Sequence, residues 1–148
     1  MPVREMNVER RRDGTIDGAI EYHIQYSVRP DPVSAPLRAP EFMAAALLAA
    51  PGAPSEAMFA ATSGAVRAYG RTLASTDDQH DEHVRFVTSD AATFSIVYRY
   101  LPPSGAPVVR TYDLASVIAA PGAPSQEDFD TMTAFLISYG DAAAGYAP

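Results

Sequence analysis

Apolar and polar residues alternate cleanly from Ala19 to Val28. Ile20, Tyr22, Ile24, Tyr26 and Val28 fall on one side, and Glu21, His23, Gln25 and Ser27 on the other. A period of two predicts a strand with one face buried and one face wet. Upstream, Met1 to Arg12 places Val3 and Val8 among charged residues, and Asp13-Gly14 is a tight-turn signal, so the chain opens with a β-hairpin. Phe94, Ile96, Tyr98 and Tyr100 alternate with Ser95, Val97 and Arg99, and His83 to Val87 is a second strand candidate. A second hairpin is predicted there, with a turn at Ser89-Asp90-Ala91.

Two other stretches show helical spacing. Phe59, Thr62, Val66 and Tyr69 recur at i, i+3, i+7 and i+10, and so do Phe129, Met132, Leu136 and Tyr139. That spacing makes one apolar stripe on an α-helix. Ser55 and Ser125 stand at the cap position, with Asp128 completing a pattern like a capping box in the second case. The first helix is expected to run to about Ala68 and stop at Gly70. Asp141 to Pro148 reads as a small-residue tail.

The caps belong to a repeated phrase. Ala49-Ala50-Pro51-Gly52-Ala53-Pro54-Ser55 recurs letter for letter as Ala119-Ala120-Pro121-Gly122-Ala123-Pro124-Ser125, and Phe59, Tyr69 and Gly70 then match Phe129, Tyr139 and Gly140 in the same frame. The hairpins align at a slightly larger offset, with Val8 on Val84 and Ile20-Glu21-Tyr22 on Ile96-Val97-Tyr98. The proline-rich stretch Arg29 to Pro40 has the shorter counterpart Pro102 to Gly105. Glu41 to Ala50 has helical propensity, whereas its counterpart Thr111 to Ala120 is more strand-like and is left open. The chain therefore reads as a single domain, 1–148, of two repeats, about 1–75 and 76–148. The expected fold is α+β: an internal tandem duplication of a β-hairpin/helix unit. Its hairpins would join in one antiparallel sheet, with the helices packed on one face.

Composition narrows the chemistry. The chain lacks Cys, which excludes disulfides, thiolate nucleophiles and cysteine metal sites. All 11 basic residues are Arg, and the absence of Lys reads as codon bias. A net charge of −7 makes general nucleic-acid binding a poor fit. The longest apolar run, Phe42 to Ala50, ends at Pro51 and is too short to span a membrane. The charged N-terminus lacks the apolar core of a signal peptide.

Few residues suggest a reaction. Asp77-Asp78-Gln79-His80-Asp81-Glu82-His83 has the residue types of a divalent-metal site, but it also reads as a solvated acidic linker between repeats. Arg10-Arg11-Arg12 could grip phosphates, though it lies at a strand end before a turn. No nucleophile elbow or glycine-rich phosphate loop is present. The expectation is a non-enzymatic structural or assembly protein without a cofactor. It would self-associate, or join other assembly subunits, as a small virion component (coat, decoration or head–tail protein) does, in the cytoplasm or virion. Its candidate interaction residues are Arg10, Arg11, Arg12, Pro32 and Pro36, the extra apolar residues Phe135 and Ile137, and the isolated aromatic Tyr146. The alternatives are an acidic partner-binding module, such as an immunity protein or adaptor, and a metal-binding enzyme using His80 and His83.

Overall fold

The computed structural model describes residues 2–12, 20–31, 33, 35, 40–76, 82–88, 95–102 and 105–146. Three strands come first: β1 (Val3–Arg12), β2 (Ile20–Arg29) and β3 (Glu41–Met43). A short helix α1 (Ala44–Ala49) and a long helix α2 (Glu56–Leu73) follow. The same order of elements then recurs as β4 (Glu82–Thr88), β5 (Ser95–Tyr100), β6 (Val108–Asp113), α3 (Leu114–Ala119) and α4 (Gln126–Ala144).

All six strands form one antiparallel sheet in the order β3-β2-β1-β4-β5-β6. The seam is β1 against β4, where Val8 pairs with Val84 and Met6 with Phe86. The helices take one face. Met6, Ile24, Tyr26, Val28, Val84, Ile96, Tyr98, Tyr100 and Tyr112 are buried beneath them, and their odd-numbered neighbours face the other way. The described residues thus form a two-layer α+β structure in which no described element covers the other face of the sheet.

Caps start the long helices as expected. Ser55 Oγ accepts from the Met58 N–H at 3.1 Å, and Ser125 Oγ from the Asp128 N–H at 3.2 Å. Both helices, however, overrun their predicted ends. α2 continues through Gly70 to Leu73, and α4 continues into the expected tail as far as Ala144. Gly145, in the left-handed region at φ 76°, ends α4.

Gly70 and Gly140 have a different task. A Cβ on Gly70 would come within 2.4 Å of the Tyr98 ring, and one on Gly140 within 2.5 Å of the Tyr26 ring. Each glycine lets a helix backbone settle directly on a tyrosine. The C-terminal part of each helix crosses over in doing so: Gly70 of α2 lies on β5 and Gly140 of α4 on β2, while Phe59 of α2 packs with Ile24 and Phe129 of α4 with Tyr98 in their own halves.

The ambiguous segments also resolve. Glu41–Met43 and Val108–Asp113 are edge strands, and each leads into a six-residue helix. Three residues of strand before an alanine-rich helix leave too little period-two pattern to see. Packing also shifts the expected hairpin alignment, because Tyr26, not Tyr22, takes the place that Tyr98 takes in the other half. Phe42 stacks edge-on with Tyr139, and Tyr112 packs tilted against Tyr69, both at 4.9 Å between ring centroids.

Candidate functional site

The uncovered face is built by the period-two register. Cross-strand pairing sets His23 beside Glu9, Glu9 beside His83, and His83 beside Arg99 in one row. The adjacent row on the same face runs Glu41, Gln25, Asn7, Arg85 and Val97. Together these residues line a trough of about 490 Å³. His23 Nδ1 lies 3.3 Å from Glu41 Oε1, and beside the trough Arg85 Nη1 donates to Glu5 Oε1 at 3.4 Å.

Charge is distributed unevenly across the trough. Its carboxylates, Glu9 and Glu41, stand on β1 and β3, and its guanidinium groups, Arg85 and Arg99, on β4 and β5. The histidines divide evenly, His23 on β2 and His83 on β4. The face is therefore dipolar across the strands. Arg29 and Asp113 run against this gradient but lie outside the trough. Among the described residues, no group of three or more His, Asp or Glu side chains is arranged to hold a metal ion.

The strongest electrostatics lie on the buried side. Arg4 donates to Asp141 through Nε at 3.0 Å and Nη2 at 2.8 Å, and the Tyr26 hydroxyl donates to the same carboxylate. In the other half, Arg71 donates to Glu82 through Nε at 2.6 Å and Nη2 at 3.2 Å, and the Tyr98 hydroxyl donates to Glu82. The two triads have opposite polarity. In one the arginine is on the strand and the acid on the helix; in the other the acid is on the strand. Burial first, and the neighbouring carboxylate second, push both tyrosine hydroxyls far above the usual tyrosine pKa. The hydrogen bond to Asp141 raises the Arg4 pKa. Burial opposes the charge on Arg71, but its bonds to Glu82 outweigh that and raise its pKa as well. These triads join sheet to helix, so we assign them to stability.

The residues singled out in sequence scatter. Arg10, Arg11 and Arg12 lie at the end of β1, paired with Tyr22, Glu21 and Ile20. Pro32, Pro36 and His80 fall outside the described residues, as does most of the acidic run. Glu82, read as part of that linker, is instead fully buried and ion-paired in β4. His83 is on the trough. Phe135 and Ile137 pack on their own core. Tyr146 does so too, with the Arg4 guanidinium 5.7 Å from its ring centroid. The trough residues outside β2 lacked a signal strong enough to group them, because their partnership depends on strand order. Comparison with known protein families, curated proteins and solved structures gives no match.

Proposed function

We propose that this protein is a non-enzymatic assembly subunit that self-associates through its uncovered sheet face. The observation that carries this is the charge gradient across the trough, from Glu41 and Glu9 to Arg85 and Arg99. A dipolar face is self-complementary. Turning a second copy about a two-fold axis parallel to the strands lays its basic half over the acidic half of the first. Two sheets can pack aligned in this way, about 10 Å apart. A structural role of this kind suits a small virion component, such as a coat, decoration or head–tail protein.

The same reading includes an origin by tandem duplication of a β-hairpin/helix unit. Its support is the repeated heptapeptide, the twice-used order of elements, and the matched contacts of Gly70 with Tyr98 and Gly140 with Tyr26. A duplicated chain already contains one pseudo-symmetric seam, β1 against β4, and association through the open face would add a second.

Sedimentation velocity tests the proposal. The protein should shift from monomer to dimer between micromolar and millimolar concentration, and added salt should weaken the dimer. A single monomeric species at millimolar concentration and low salt would overturn it.

A further inference from the structure

A second space lies on the other side of the sheet, between the helix layer and strands β1, β2 and β4. It is a cavity of about 80 Å³ whose walls include Met6, Ile24, Phe59, Val66, Met132 and Leu136. Three residues of α2, Thr62, Ser63 and Arg67, and Thr133 of α4 break this apolar lining. Spacing of four puts Ser63 and Arg67 on one helix face.

Ser63 Oγ is buried and has no hydrogen-bond partner among the described residues. An unmet buried hydroxyl is costly unless something occupies the space before it. Neighbouring Thr62, in contrast, is satisfied internally, its hydroxyl donating to the Met58 carbonyl at 2.8 Å. Arg67 brings positive charge to the same wall. Its guanidinium carbon sits 4.8 Å from the Tyr22 ring centroid, and Nη1 donates to the Tyr22 hydroxyl at 2.5 Å. Ser63, Arg67 and Thr133 are all half-buried, so this wall reaches towards solvent between α2 and α4.

We infer that the cavity binds a short aliphatic carboxylate, with its head at Ser63 and Arg67 and its tail among the apolar side chains. The hydroxyl supplies a donor and the guanidinium selects an anion. The volume sets the length: an apolar cavity of about 150 Å³ holds a six-carbon ring, so roughly half that volume takes a tail of about three carbons. Butyrate is the natural probe.

The test is a titration of the full chain followed by methyl NMR and thermal shift. Butyrate should bind saturably, shift the methyl signals of Met132, Leu136 and Val66, and raise the melting temperature. Butan-1-ol and butylammonium should bind at least tenfold more weakly, and octanoate should fail to enter. Ser63→Ala should fold normally, since its hydroxyl bonds to none of the described residues, yet bind butyrate about tenfold more weakly. Arg67→Lys should retain binding better than Arg67→Met, melting temperature serving as the check on folding. Equal affinity for butyrate and butan-1-ol, or no saturation with butyrate, would overturn the inference, as would unchanged affinity in Ser63→Ala.

Discussion

A Cβ on Gly140 would lie 2.5 Å from the ring of Tyr26, so α4 meets β2 with only backbone between them and no room for a methyl group. Gly70 stands in the same relation to Tyr98. Either Gly→Ala change should destabilise the protein by about 2 kcal/mol, because overpacking outweighs the better helix propensity of alanine. Gly64 supplies the control. It lies in α2, and among the described residues its only neighbour in reach is the flexible tip of Arg67 at 3.8 Å. Gly64→Ala should be neutral or stabilising by up to about 1 kcal/mol. Urea unfolding of the three variants checks the contrast.

The Arg4–Asp141 and Arg71–Glu82 pairs are bidentate and largely shielded from water. Removing one partner strands the other charge. Asp141→Ala should therefore cost about 3–5 kcal/mol, whereas the double change Arg4→Met with Asp141→Leu should recover much of that loss. Tyr26→Phe, which deletes only one donor to the carboxylate, should cost about 1–2 kcal/mol. Chemical denaturation of the single and double variants separates these values.

Alkaline pH should find the buried tyrosines. Tyr26, Tyr98 and Tyr112 have pKa values raised in the folded protein, in each case chiefly by burial. A raised folded pKa means that the stabilisation is complete below the unfolded pKa, near 10, and is lost as pH rises towards the folded value. Stability should thus be flat towards pH 9 and fall above about pH 10, by up to roughly 4 kcal/mol per pH unit for three groups. Tyr26→Phe should make that fall shallower by about a third. Denaturation curves taken from pH 8 to about pH 11 measure the slope.

The repeated phrase ends in a working cap. Ser55→Ala and Ser125→Ala should each cost about 1 kcal/mol, and because the caps lie on different helices the two losses should add. Thermal unfolding of both single variants and the double variant tests this.

How far the sequence could be read follows from which contacts are local. The alternation Ile24-Tyr26-Val28, the stripe Phe59-Thr62-Val66 and the caps Ser55 and Ser125 each depend on a few adjacent residues, and all appear in the structure. Gly70 was legible only as a stop signal, since its reason is Tyr98, a residue of the other half. Glu82 was hidden in an acidic run because Arg71 and Tyr98, which justify its burial, sit on other elements. Arg4 needed Asp141 in the same way. For the trough, the polar alternation of β2 revealed His23 and Gln25 on an outer face. The meeting of Glu9, His83 and Arg99 with them required the order β2-β1-β4-β5.

The most direct test of self-association through the open face is a charge-reversal mixing experiment. Glu41 and Arg99 are exposed and lie on opposite halves of the trough. Sedimentation should show that Glu41→Arg and Arg99→Glu are each monomeric where the wild-type protein dimerises, and that mixing the two restores a dimer. If both variants associate as the wild type does, or if mixing restores nothing, the dipolar face is not the interface.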